Sequence, residues 1–328
     1  MRHAVLSLAL MTAGMTSAAQ ADSPITEAMA DYLGACWANQ QEGQYADEVY
    51  CFERMENHAV RVLRQNPGPH GMFYNESIWF WDAANEKVHT LMLTMNGHAI
   101  YADGAIEDGH FVQNGYRDGS GELFLRYHWG AVTGDQASLV RQQYLGEDYG
   151  GWNTEPERVF TRQPAERLET LREEMAFPDI LAGGVTDVFE PLLNACWQTR
   201  LDDGRSDTHC YAPVFGRFVR DLHIVPGPPD YTGETIYHFD RENDEILFDY
   251  FNSIGGSSAG GGDAVENGIH FREEHYIAPD GTTRTFRSRM LNISPAGYIS
   301  VTEEEIDGAW TEVMRQTFTR TEANPFNR

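Results

Sequence analysis

Gly256-Ser257-Ser258-Ala259-Gly260 fits the G-x-S-x-G pattern, which presents a nucleophilic serine when it sits on a sharp strand-to-helix turn. Here it is embedded in the run Gly255-Gly256-Ser257-Ser258-Ala259-Gly260-Gly261-Gly262. Glycine this dense does not start a helix, and no alternating strand–helix series surrounds it. The segment reads as a flexible hairpin loop. It also lacks the Gly-Lys-Ser/Thr of a phosphate cradle. A second candidate is His270-Phe271-Arg272-Glu273-Glu274-His275-Tyr276. Strand alternation puts Glu273 and His275 on one face and His270, Arg272 and Glu274 on the other. Glu273 could orient or relay protons with His275, but two histidines on opposite faces cannot share a metal. Solvated cross-strand charges are the simpler reading. His238 reads as a surface residue. Lys87 is the only lysine, so Schiff-base catalysis through any other lysine is ruled out. No His/Asp/Glu cluster recurs with metal-ligand spacing, no C-x2-C is present, and neither metal nor cofactor is indicated.

The elements that would position any such chemistry belong to a 328-residue chain with 41% hydrophobic and 12% aromatic residues, a composition of packed globular proteins. The net charge of −26 would repel a nucleic-acid backbone, so DNA and RNA are excluded as partners. Arg2 and His3 precede an apolar run, Ala4 to Met15, followed by Ser17-Ala18-Ala19-Gln20-Ala21. This is the layout of a secretory signal peptide over 1–21, with a mature chain from about Asp22 in a periplasm or outside the cell. No later apolar run approaches the ~18 residues of a membrane span. Four cysteines, Cys36, Cys51, Cys196 and Cys210, suit an oxidising compartment. Local bridges Cys36–Cys51 and Cys196–Cys210 are expected. Free thiols or a Cys36–Cys196 linkage are the alternatives.

An internal repeat organises the chain. Ala35-Cys36-Trp37 recurs as Ala195-Cys196-Trp197, Pro67-Gly68-Pro69 as Pro226-Gly227-Pro228, and Val159-Phe160-Thr161-Arg162 as Thr317-Phe318-Thr319-Arg320. Glu76 to Asp82 matches Glu234 to Asp240, and Ala105 to Gly109 matches Ala264 to Gly268. Asp118-Gly119 pairs with Asp280-Gly281, and across all these pairs the offset drifts only between 158 and 162, so the chain is a duplicated domain. Within each copy, short aromatic and β-branched runs are separated by turn residues such as Asp82-Ala83-Ala84-Asn85, Asp103-Gly104, Asp118-Gly119, Asn267-Gly268 and Pro295-Ala296-Gly297. The pattern predicts an all-β protein of two fused antiparallel up-and-down barrels, about eight to ten strands each, whose closure removes exposed edges. Ser23-Pro24 opens a short helix to about Leu33, and Arg162–Ala176 reads as a charged connector helix. The expected domains are 22–162 and 185–328, with a connector over 163–184.

An Ala-Cys-Trp opening after a short helix, then hairpins returning with Phe-Thr-Arg, resembles the lipocalin-like (calycin-type) barrel domains of bacterial exported proteins, here in tandem. The resemblance implies a cavity for a small apolar ligand. It also leaves room for an isomerase, cyclase or hydratase on the same scaffold.

The two copies can be compared with each other. Trp79 and Trp81 correspond to Tyr237 and Phe239, and Leu125, Tyr127 and Trp129 to Phe286, Ser288 and Met290. Alternation turns these positions inward. Smaller Ser288 against Tyr127 predicts the roomier cavity in the second barrel, with Tyr237, Phe239, Phe286, Ser288 and Met290 as candidate ligand-binding residues. The function expected is binding of a small, mainly apolar molecule. An enzyme using a few inward polar groups is the second class, and an envelope interaction module with filled barrels is the third.

Overall fold

The computed structural model describes residues 22–43, 45–55, 58–68, 71–117, 121–177 and 183–326. The expected signal peptide and the Asp118-Gly119 turn lie outside them. The described residues fall into two compact units divided between Ala176 and Phe177.

In the first unit the strands are β1 (Ala35–Asn39), β2 (Val49–Met55), β3 (Ala59–Gly68), β4 (Gly71–Asp82), β5 (Lys87–Thr94), β6 (Ala99–Glu107), β7 (His110–Arg117), β8 (Glu122–Trp129), β9 (Gln136–Tyr144), β10 (Trp152–Thr154) and β11 (Arg158–Arg162). Each strand from β1 to β9 pairs antiparallel with the next except that β11 joins β9 to β1, closing a ring of ten strands. Short β10 lies beside β11 on the same edge of β9. The second unit contains β12 (Ala195–Arg200), β13 (Ser206–Val214), β14 (Phe218–Val225), β15 (Tyr231–Asp240), β16 (Glu245–Asn252), β17 (Ser257–Val265), β18 (Gly268–Ile277), β19 (Thr283–Ser294), β20 (Gly297–Ile306) and β21 (Ala309–Thr321). These run in sequence order, and β21 pairs with β12 to close the barrel. The protein is therefore all-β, two antiparallel ten-strand barrels on one chain.

Turn chemistry explains the meander. Asp108-Gly109 and Asp307-Gly308 hold positive φ at both positions (50° and 81°; 52° and 76°), the geometry of two-residue hairpin turns whose twist matches the strands. Asp103-Gly104, read as a turn, instead lies inside β6. A Cβ on Gly104 would come within 2.5 Å of the Phe111 ring, so this glycine admits a buried aromatic rather than reversing the chain.

The glycine-rich run also departs from expectation. Ser257 to Gly262 is strand, paired with β16 on one side and β18 on the other. Its glycines make space for rings: a Cβ on Gly256 would meet the Tyr276 hydroxyl, one on Gly260 would lie 2.9 Å from Phe248, and one on Gly262 2.9 Å from Phe271. Ser257 and Ser258 are buried within this sheet, so no nucleophile elbow exists.

Each barrel is stoppered by a short helix. Pro24 at the first helical position starts α1 (Pro24–Ala28). Ile25, Met29 and Tyr32 join Phe52, Trp79, Trp129 and Phe160 in the first core. The third α-helix among the described residues, α3 (Val185–Phe189), does the same for the second: Phe189 lies 4.5 Å from the Tyr237 ring and 5.6 Å from Tyr211. The repeated tryptophan secures both plugs. Trp37 Nε1–H donates to the Tyr32 carbonyl at 3.5 Å, and Trp197 Nε1–H to the Leu192 carbonyl at 3.1 Å. Next to each, a disulfide crosslinks directly opposed residues of the opening hairpin, Cys36–Cys51 and Cys196–Cys210. The connector helix α2 (Glu166–Met175) belongs to the first unit, burying Leu171 and Met175 and bonding through Arg167 to Gln65 and through Arg172 to Glu53.

Candidate functional site

Both barrels are hollow. The second holds a partly open cavity of about 250 Å³. Apolar side chains, among them Val225, Phe271, Met290, Met314 and Phe318, make up much of its lining, and Asp207, His209, Asp221, His223, Tyr231 and Tyr250 form a polar stretch of wall on β13 to β16. Strand alternation builds the polar wall. Asp207 and His209 are two residues apart on β13, and Asp221 and His223 two apart on β14, so each pair faces inward. The register places His209 directly opposite His223, with ring centroids 4.7 Å apart.

The bonding is dense. His209 Nδ1 lies 2.8 Å from Asp221 Oδ2, and its Nε2 lies 3.4 Å from Asp207 Oδ1. The same Asp207 oxygen is 3.4 Å from His223 Nδ1. His223 Nε2 is 3.1 Å from the Tyr250 hydroxyl, itself 2.5 Å from that of Tyr231. Across the cavity the Tyr211 hydroxyl donates to Tyr298 at 3.0 Å. Burial works against a charged His209, but Asp221 and Asp207 outweigh it and push the imidazole up to about 10. Burial likewise opposes ionisation of Asp207, yet His209 and His223 hold it well below the usual carboxylate range. Burial raises the phenols of Tyr211, Tyr237, Tyr250 and Tyr298 well above 10, so they remain neutral hydrogen-bonding groups. Asp221 Oδ1 is buried without a hydrogen-bond partner among the described residues.

Of the residues expected to bind ligand, Tyr237, Ser288 and Met290 line this cavity. Phe239 packs against the core, and Phe286 is buried against Tyr276 at 6.4 Å; neither lines the cavity. Glu273 and His275 are exposed on the outside, opposite Arg287 and Thr285. His238 is not a surface residue: it is 4% exposed, with Nε2 3.6 Å from Asp249. The Asp/His quartet was not anticipated. Its signal was a pair of D-x-H triplets, Asp207-Thr208-His209 and Asp221-Leu222-His223, on consecutive strands.

The expected order of cavity sizes is reversed. The first barrel's cavity is about 540 Å³. Its lining includes the small residues Ala99 and Ala102 on β6, Gly115 on β7 and Gly121 before β8, together with exposed Ile100 and Tyr101, so part of it lies at the surface. The second barrel fills its own interior with the tyrosines and histidines of β13 to β16.

Positions equivalent by register also differ in charge. Tyr50 opposes Arg64 where His209 opposes His223, and Glu48 stands where Asp207 does. Glu48 is fully buried and saturated. It accepts from Arg64 Nε and Nη2 (3.1 and 2.5 Å), from Arg158 Nη1 (2.8 Å) and from the Tyr50 hydroxyl (2.9 Å). In the first barrel fixed guanidiniums neutralise the buried acid; in the second, two acids have only histidines.

No family model and no curated protein matches the chain. Among solved structures, the chain is similar to a protein of unknown function from the DUF3598 family of Nostoc punctiforme, at 12% identity over 90% of this chain and 98% of that one, with a TM-score of 0.22. Among the described residues no helix is long and apolar enough to cross a membrane.

Proposed function

We propose that this is an exported binding protein that holds a small, mainly apolar molecule in the second barrel, its polar end against the Asp207/His209/His223/Tyr250 wall. One observation carries the reading: a partly open cavity with a largely apolar lining and a few convergent polar groups, the usual composition of small-molecule sites. The two disulfides are consistent with export. The volume of the first cavity favours a second reading, in which that barrel also takes a ligand. Its lining residues Asn75, Trp79 and Trp129 each carry a buried side-chain N–H without a partner among the described residues.

The neutral fluorophore N-phenyl-1-naphthylamine, titrated into the full-length chain, tests both. Ser288→Trp fills the second cavity and Ala102→Trp the first. The proposal predicts at least about tenfold weaker binding in Ser288→Trp, roughly the 1.4 kcal/mol of one tenfold step, and little change in Ala102→Trp. The reverse pattern would transfer the site to the first barrel.

A further inference from the structure

We infer that Asp207, His209 and His223 form a binding site for a divalent transition-metal ion, open toward the second cavity. This goes beyond the binding of an organic ligand and stands without it. The three side chains each offer one ligand atom, and these atoms all lie within 4.8 Å of one another. Two of the separations, Asp207 Oδ1 to His209 Nε2 and Asp207 Oδ1 to His223 Nδ1, are 3.4 Å. That is long for a hydrogen bond. It matches the ~3.3–3.4 Å edge of a tetrahedron around an ion with bonds of about 2.0–2.1 Å.

The surroundings suit a metal as well. His223 Nε2 lies 3.1 Å from the Tyr250 hydroxyl; in the tautomer that donates there, Nδ1 is unprotonated beside Asp207 Oδ1, the state in which an imidazole nitrogen binds a metal. His209 Nδ1 lies 2.8 Å from Asp221, the carboxylate–histidine pairing that fixes the tautomer and orientation of a metal-bound imidazole. Two histidines and one carboxylate leave coordination positions free, as zinc, iron(II) and related ions accept. The first barrel supplies an internal contrast. Where it has Glu48 it also has Arg64 and Arg158 bonded to it; the second barrel has His223 and Gln316 at those positions and no arginine bonded to Asp207 or Asp221 among the described residues.

The test uses the full-length protein stripped with a chelator and returned to metal-free buffer at constant pH, with no organic ligand added. Zn²⁺ is titrated calorimetrically, and Co²⁺ is followed through its visible d–d bands. Stoichiometric Zn²⁺ binding and the intense Co²⁺ bands of a low-coordinate site are expected. Asp207→Asn and His223→Gln should each weaken Zn²⁺ by about 100-fold or more, and Asp221→Asn, acting through His209, by ~10–100-fold. The exposed pair Glu273→Gln/His275→Gln should leave it unchanged. Near-UV circular dichroism establishes that each variant is folded, and if Asp207→Asn is not, His223→Gln decides. No stoichiometric binding by the unaltered chain, or undiminished binding in the folded ligand variants, overturns the site. Either result leaves N-phenyl-1-naphthylamine binding, measured separately, to stand or fall on its own.

Discussion

Glu274→Gln should make stability less dependent on pH. Strand alternation alone places Glu274 with His270 and Arg272, both exposed. A register shift between His270 and Glu273 inverts the alternation, so that Phe271, Glu274 and Tyr276 all turn inward. Glu274 then starts beside Gly260 and the Phe248 ring, and burial alone raises its carboxyl from 4.5 to about 7. Below about pH 4.5 both folded and unfolded chains are protonated here. Between 4.5 and 7 the unfolded chain releases its proton while the folded chain keeps it, so stability falls as pH rises. Above 7 the loss is complete. The gap sets a ceiling of about 3.4 kcal/mol, and partial exposure reduces the expectation to about 1–3 kcal/mol. Urea unfolding of Glu274→Gln and the unaltered chain, compared at pH 4 and pH 8, reads this as a stability difference that shifts toward the variant by that amount. Carbon-13 NMR of the glutamate carboxyls, assigned with the variant, should show one group titrating near 7. A stability difference that is constant with pH, together with titration near 4.5, would refute the burial argument.

Three further outcomes follow from packing. Glu48→Ala leaves Arg158 and Arg64 buried without their shared acid, and should cost about 3–5 kcal/mol in urea unfolding. Gly262→Ala places a Cβ 2.7 Å from the His270 carbonyl oxygen and 2.8 Å from Phe271 Cα; these are backbone atoms, so about 1–3 kcal/mol should be lost. Replacing Cys196 and Cys210 together by alanine opens a crosslink spanning 14 residues, for which about 3 kcal/mol is expected, and non-reducing peptide mapping of the parent chain should yield only the two local bridges.

Much of the architecture was legible because a duplicated sequence carries its own comparison. Ala-Cys-Trp and its echo mark the same corner of each barrel, and Asp82-Ala83-Ala84-Asn85 joins β4 to β5 as its turn residues imply. What local pattern could not convey is how neighbouring strands share space. Asp103-Gly104 and the run Gly255–Gly262 look like turns in isolation. Gly255 and Gly256 do turn, but Asp103-Gly104 and Ser257–Gly262 are strand, because Phe111, Phe248 and Phe271 need room on the adjacent strands. The inversion at Glu274 arises from a single register shift that no alternation rule foresees. Judging cavity size from Tyr127 against Ser288 considered one strand of ten. The Asp/His wall has no local signature: its two triplets lie beside a cysteine and in an ordinary-looking strand, and only the pairing of His209 with His223 joins them.

The most direct measurement of a ligand site in the second barrel is anomalous diffraction from crystals of the full-length chain grown with 4-bromophenol. A bromine peak is expected inside that barrel, in van der Waals reach of Phe271 and Met290, with the hydroxyl toward Tyr250 and His223. A peak confined to the first barrel, or to the outer surface, would contradict it.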